Sequence, residues 1–491
     1  MVHRPAKPAR FGWFGLASFL LLFGMCAAWA LATPFFAAPD EPAHVIKAAA
    51  VAHGEFLGHY SGPATAKVTV TIPATVAKAA TAHICFAFHA TTSAGCLPPF
   101  TSASGTRSVT TYVGRYPPLY YLAVGLPTLV MHTPGVIYLM RLVGAALSAA
   151  FLTAAVTAAR RAGLMLVGVA VAATPMAMFL AGVVNPSGLE ISAATCVWTA
   201  GLRLVTDRPS RGMLIRLVVA AGVLVQTRGL SPLWLAIIGL TLVWLAGRRR
   251  TVDLLRRRPV QIGLAVVGAC GVFALVWIVV AKSLTLAPVG TPMSPDASRW
   301  QILRASLHRT FGDITDLVGV FGWKDTSAPW QTYLVWGLAV AAVVGAMLAC
   351  RSSRYTVAVG AIAVLSIVVP TLLTASQAHR DGLVGQGRYV LPLAVGIPIV
   401  AAYATSRGLP AGRWQRVVLP IGAVLLAAAQ GAAFAEALRR YRTGLGHSLF
   451  AAHPAWSPPI PELPLLGGFG VLALCLYLGW ARVASQRDSP L

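Results

Sequence analysis

Acidic residues are scarce in this chain. Its 491 residues include only 14 Asp and Glu against 39 Lys and Arg, a formal net charge of +25. Charge of either sign is sparse too, at 11% of residues, while 57% are hydrophobic. So little charge cannot cover so much apolar surface in water, which excludes a soluble domain, and the same composition excludes a disordered chain. The basic excess would by itself point to nucleic acid, and the apolar majority argues against that. Nucleotide-handling signatures are missing as well: there is no P-loop, no GxGxxG, and no polar stretch long enough for a soluble catalytic domain on the arginine-rich loops. No CxxC or Cys/His spacing indicates zinc. No internal repeat is evident, which weakens an inverted-repeat transporter.

What is present is a series of apolar runs of about 20 residues, the mark of a polytopic helical membrane protein. The first, Phe11 to Thr33, follows His3, Arg4, Lys7 and Arg10. Ala30-Leu31-Ala32 resembles a signal cleavage site, but the run is long for a signal core and reads as a retained anchor. Further spans are expected at 135–159, 163–184, 187–205, 212–227, 231–246, 259–281, 331–350, 355–374, 389–405, 417–435 and 465–481. The fold class is therefore all-α and polytopic, with about twelve transmembrane helices. The expected organisation is a cytoplasmic N-terminus (1–12), a first helix (13–33) and a long extracytoplasmic loop (34–134). Helices 2–7 (135–281), a second outer loop (282–330), helices 8–12 (331–481) and a cytoplasmic tail (482–491) follow. Residues 116–131 are short and proline-flanked and read as interfacial or re-entrant. If they crossed the membrane, every later arginine cluster would fall on the wrong side by the positive-inside rule.

With that topology the charge divides unevenly. The inner loops and ends hold 22 basic and 3 acidic residues, the outer segments 16 basic and 11 acidic, and Arg141 stands alone within a span. The inner share orients the chain and needs no partner beyond the bilayer. Nearly all acids face outward, so the chemistry is sought there.

The strongest outer motif is Pro39-Asp40-Glu41-Pro42-Ala43-His44-Val45-Ile46-Lys47. Pro42 suits a first helical turn, with a carboxylate favoured beside the helix N-terminus. His44 and Lys47 then share a face with Asp40. A capped amphipathic surface helix explains the spacing equally well; paired acids beside a bilayer also suit a general base or a metal ligand. Other candidates are Tyr116 in Tyr116-Pro117-Pro118-Leu119-Tyr120-Tyr121, Asn185 and Glu190 at the start of a span, and Arg228 in a break between two short apolar halves. Lys324 and Asp325 in Phe321-Gly322-Trp323-Lys324-Asp325, and Arg388 and Tyr389 in Gln386-Gly387-Arg388-Tyr389, complete the set. Arg388 at a helix N-terminus opposes the dipole, which a bound anion would relieve. Arg439, Arg440 and Arg442 break the positive-inside pattern, as an anion site or through headgroup contact. Arg141 requires a carboxylate or lipid phosphate. Cys85 and Cys96, eleven apart in a polar loop, are placed to pair if the loop is extracytoplasmic. The remaining five cysteines, Cys26, Cys196, Cys270, Cys350 and Cys475, lie in or beside apolar runs and read as small hydrophobes.

The order of these motifs resembles the GT-C class of membrane glycosyltransferases: a first helix, a loop opening on Pro39-Asp40-Glu41-Pro42 and His44, then Tyr116 to Tyr121 and many spans. More closely, the chain is similar to a bacterial family of predicted membrane proteins known mainly as a domain of unknown function. That likeness runs through Asp40-Glu41-Pro42 and His44, the paired cysteines, Asn185-Pro186, Phe321 to Thr326 and Gly387-Arg388-Tyr389. The resemblance implies sugar transfer, with inversion, from a polyprenyl-phosphate donor to a cell-envelope glycan, lipid or protein outside the cytoplasmic membrane, and no nucleic-acid partner. It places the role of base on Asp40, with Glu41 beside it; His44 or Glu41 would orient the base, and the charge developing on a lipid phosphate calls for cations, a role for Arg228 and Arg388 with Lys324. A divalent cation, Mg or Mn, would sit at Asp40 where members of the class use one. The rival readings are a transporter or flippase, which would carry its functional charges at the bilayer midplane, and a polysaccharide polymerase or ligase using a lipid pyrophosphate.

Overall fold

The computed structural model describes residues 9–62, 67–284, 290–409, 412–451 and 453–486. Of the terminal segments expected to be cytoplasmic, residues 1–8 and 487–491 lie outside the described residues.

Helix dominates because apolar chain in a bilayer must satisfy its own backbone donors and acceptors. Among the described residues, eight helices are long and apolar enough to cross a membrane: Gly12–Ala32, Val136–Ala162, Arg258–Val280, Trp330–Ala349, Ser353–Asp381, Gly387–Gly408, Gln415–Thr443 and Glu462–Ser485. A ninth appears if Ser231–Ala246 and Arg248–Leu255, bent by 111° at Gly247, count as one broken span. The expected count of twelve is not reached by this measure, for identifiable reasons. The stretch 163–184 is broken at Thr174-Pro175. Thr174 caps a new helix, its Oγ1 accepting from Ala177 N at 3.2 Å, which leaves Met165–Ala172 and Pro175–Ala181 as two short buried pieces. Arg211–Val225 has 15 residues, a rise of about 22 Å against a hydrocarbon core of about 30 Å. Pro186–Thr206 is long enough but carries Glu190, Arg203 and several Ser and Thr, and it is buried nearly throughout. The apolar stretch Leu119–Leu129 is likewise short.

The spans converge on Trp29. Its ring lies 5.3 Å from Phe179, 5.0 Å from Phe321, 5.0 Å from Phe434 and 6.2 Å from Phe469. One side chain of the first helix thereby contacts the broken helix, a loop hairpin and the last two spans.

The long first loop is a small α/β unit. Strands His59–Tyr60, Val68–Pro73 and Thr106–Thr111 form an antiparallel sheet with Val70 opposite Val109. The alternation Val68-Thr69-Val70-Thr71-Ile72 buries its apolar face against the helix Glu41–Ala52. Val45, Ile46, Tyr120, Tyr121 and Met140 complete this second core. Among the described residues the strands are confined to this sheet and a two-stranded hairpin at Val320–Phe321 and Thr326–Ser327.

Cys85 and Cys96 form a disulfide. Arg440 Nη2 reaches into the loop it closes, donating to Phe86 O at 2.7 Å and His89 O at 3.1 Å. In intact, unreduced cells neither thiol is expected to alkylate. Replacing both by Ser is expected to cost about 3 kcal/mol, from the lost loop constraint, read as a lower unfolding temperature of the purified protein. Alkylation of both without reductant would refute the pairing in the cell.

Candidate functional site

Asp40 stands immediately before the helix Glu41–Ala52 with a left-handed backbone, φ 63°, and makes no capping bond to the helix. An aspartate at this position ordinarily caps, and here the side chain is turned away from the helix instead. Its carboxylate turns outward to two partners. Oδ1 accepts from the Tyr112 hydroxyl at 2.7 Å and Oδ2 from Arg388 Nη2 at 2.8 Å. The carboxylate keeps 27% exposure while Arg388 is buried to 3%. Burial works to raise the Asp40 pKa. Arg388, the Tyr112 bond and nearby Arg228 outweigh it, and the group is held below the ordinary carboxylate range. Burial and the Asp40 charge push Tyr112 the other way, so its hydroxyl remains a donor.

Two guanidiniums share one ring here. Arg228 Cζ lies 4.4 Å and Arg388 Cζ 5.3 Å from the Tyr389 centroid, and Tyr116 stands 5.9 Å from Arg228. Arg228 Nη1 donates to Ser187 Oγ at 2.7 Å and faces Glu190 Oε2 at 3.8 Å. Glu190 Oε1 accepts from Ser231 Oγ at 2.7 Å. Nε of buried Arg388 has no hydrogen-bond partner among the described residues.

His44 lies behind Asp40, its Nδ1 2.8 Å from the Tyr121 hydroxyl. Burial presses its pKa down to about 3; Asp40 opposes the shift, and Arg228 and Arg388 reinforce it. The imidazole is therefore neutral at physiological pH. An unfolded His44 takes up its proton near 6.5 and the folded one only near 3, so stability falls as pH drops through that interval, by up to about 1.4 kcal/mol per pH unit. His44→Gln is expected to flatten the acid side of the unfolding-temperature profile between pH 6.5 and 4.5. An unchanged slope would assign the acid sensitivity elsewhere.

The other candidates lie apart from this cluster. Glu41 points into the protein, where Arg141 donates to both oxygens at 2.8 and 2.7 Å and the backbone N–H groups of Phe36 and Val184 donate at 3.0 Å each. Neither Arg141 nor Glu41 has any exposure, and the same guanidinium also donates to Ala30 O, Thr33 O and Pro34 O. The partner that Arg141 requires is thus Glu41. Lys47 Nζ donates to Phe56 O at 2.5 Å and to Gly114 O, bracing the first loop, and burial pulls its pKa down to about 7. Asn185 caps its own helix through Ser187 N and donates to Pro39 O at 3.2 Å, fixing the segment that carries Asp40. Lys324 pairs with Asp313 at 2.7 Å and Asp316 at 2.9 Å. Asp316 accepts in turn from Gly387 N at 3.0 Å, beside Arg388. Asp325 pairs with Arg440 at 3.0 Å. Arg439 and Arg442 are paired with Glu436 and Glu462, so all three of these arginines have protein carboxylates.

Tyr112 and Ser187 complete the site without having been singled out in the sequence. Tyr112 follows a strand 72 residues beyond Asp40, a distance no local pattern bridges. Among the described residues no three His, Cys, Asp or Glu gather to hold a metal. A divalent cation at Asp40 would compete with Arg388 and Tyr112 for its carboxylate.

Fold and site define a multi-spanning helical membrane protein with a carboxylate and two arginines gathered beside a membrane-flanking loop domain. The chain belongs to the DUF2142 family of predicted membrane proteins, whose family model matches residues 22–397. No curated protein matches it. Among solved structures it is similar to the crystal structure of ArnT from Cupriavidus metallidurans in the apo state, with 16% identity and a TM-score of 0.44. It is similar also to the form of that protein bound to undecaprenyl phosphate, with 16% identity and a TM-score of 0.41. Each match covers 97% of this chain and 77% of the other. Chain paths that superpose this loosely bear no weight for function.

Proposed function

We propose that the protein is an integral membrane glycosyltransferase of GT-C type. It would move a sugar from a polyprenyl-phosphate donor to a cell-envelope glycan, lipid or protein, with inversion. The observation that carries the reading is the Asp40 carboxylate, partly exposed and ionised, set against buried Arg388 with Arg228 around the same tyrosine ring. The charge asymmetry of the loops supports an extracytoplasmic site on the cytoplasmic membrane.

An acceptor hydroxyl is a weak nucleophile until its proton is taken. In this reading the donor phosphate draws Arg388 toward itself and frees Asp40 Oδ2, while Tyr112 keeps the carboxylate oriented through Oδ1. Asp40 takes the acceptor proton as the acceptor oxygen bonds to the anomeric carbon. The bond from that carbon to the phosphate oxygen breaks, and its electron pair leaves with the lipid phosphate. Arg388 and Arg228 stabilise that charge. Glu190 holds Arg228 in place. Glu41 and Lys47 act on the fold of the loop, and Lys324 acts through Asp316 on the segment that presents Arg388. No step requires a metal.

The test is transfer of labelled sugar from a polyprenyl monophosphate by membranes containing the wild type or the Asp40→Asn variant. Transfer from a lipid pyrophosphate alone would favour the polymerase reading. Substrate accumulation across vesicles without bond cleavage would favour a transporter.

A further inference from the structure

Phe88 is 70% exposed, and its backbone is left-handed at φ 64°. Its ring centre lies 5.5 Å from that of half-buried Trp323, the planes 57° apart. Exposed aromatics scatter over any surface, but this pair is fixed from both ends. Phe88 lies in the loop closed by Cys85 and Cys96, pinned by Arg440 through the carbonyls of Phe86 and His89. Trp323 sits between two left-handed residues, Gly322 and Lys324, both at φ 62°. Its Nε1 donates to Phe36 O at 3.1 Å, four residues before Asp40. Through Lys324, Asp316 and Gly387 the same hairpin is tied to Arg388.

We propose that Phe88 and Trp323 form a stacking platform for a carbohydrate, the glycan acceptor of the Asp40 site; this rests on the glycosyl-transfer reading above. One face of a sugar ring is a sheet of C–H groups carrying partial positive charge, which suits the negative face of an aromatic ring. The hydroxyls around the ring edge need polar neighbours, and His89 and Thr91, both exposed, and partly exposed Lys324 supply them. An apolar pair with that polar surround suits a ligand amphipathic in the same way. A lipid tail would instead favour apolar neighbours, and the nearest large one in the loop, Phe86, is buried. A loop backbone anchored before binding loses little freedom when a sugar docks. The platform adjoins the segments that carry the base and the phosphate-binding arginine, as an acceptor subsite must.

The experiment uses full-length protein in nanodiscs without donor. The probes are mannose-, glucose-, galactose- and arabinose-based hexasaccharides, followed by saturation-transfer NMR. At least one is expected to bind through its ring C–H protons. Phe88→Ala, which removes a mostly exposed side chain, is expected to weaken that binding about five- to tenfold. Phe88→Tyr is expected to restore it. The proposal is overturned if no hexasaccharide binds the wild type, or if Phe88→Ala binds as tightly. It is overturned equally if brominated phospholipid quenches a fluorescence component that Trp323→Phe removes, because the rings would then lie in lipid. Retained transfer by Asp40→Asn would instead sink the mechanism at Asp40 and leave the sugar-binding result standing.

Discussion

Asp40→Asn is expected to lower sugar transfer by a factor of about 10² to 10⁴, the range spanned by a positioned general base, while the amount of protein in the membrane stays at the wild-type level. The substitution is nearly isosteric. Its amide oxygen still accepts from Tyr112 or Arg388, and the helix Glu41–Ala52 loses no cap, since Asp40 makes none. Folding and chemistry therefore separate at this residue. Transfer near the wild-type rate would remove Asp40 from the mechanism. A collapse in expression would show that the carboxylate serves the fold, as its neighbour does.

The neighbour gives the second large effect. Arg141→Met is expected to destabilise the protein by about 3–5 kcal/mol, because it leaves the Glu41 carboxylate fully buried without its counter-charge. Loss of protein from the membrane and a much lower unfolding temperature are the readouts. Arg141→Met combined with Glu41→Gln is expected to recover part of the loss, since no uncompensated charge then remains. The carbonyls of Ala30, Thr33 and Pro34 would still lack their donor, which limits the recovery. If the double variant is no more stable than Arg141→Met alone, the ion pair is not the source of the effect. Two adjacent acids thus have different partners: Glu41 is bonded to Arg141 of Val136–Ala162 and to the backbone at Phe36 and Val184, and Asp40 is bonded to Tyr112 and Arg388.

Much of the architecture was legible. Apolar runs of membrane-crossing length are a property of composition, and each of the eight long spans coincides with a run read from the sequence. The other runs do not form single helices of that length and hydropathy, because hydropathy does not register a helix break such as Thr174-Pro175 or separate lipid-facing helix from helix buried in protein. The Val68 to Ile72 alternation has the period of a half-buried strand, but its Thr-rich setting reads as polar loop, and only packing against Glu41–Ala52 reveals the sheet. Gly387-Arg388-Tyr389 stood out as a motif, whereas the reason for its glycine is tertiary: a Cβ there would collide with the Asp313 carbonyl.

The sequence by itself determined that this is a multi-spanning membrane protein, and it marked Asp40, Glu41, Arg228, Arg388 and the two loop cysteines as candidates. Those conclusions rest on length, hydropathy and sign of charge, all local or additive along the chain. Only the tertiary structure decided which acid is buried against Arg141 and which stays partly exposed beside Arg388. Asp40 and Glu41 are alike in charge and adjacent in position; what separates them is a left-handed turn at Asp40 and the partners that arrive from 72, 100 and 348 residues away.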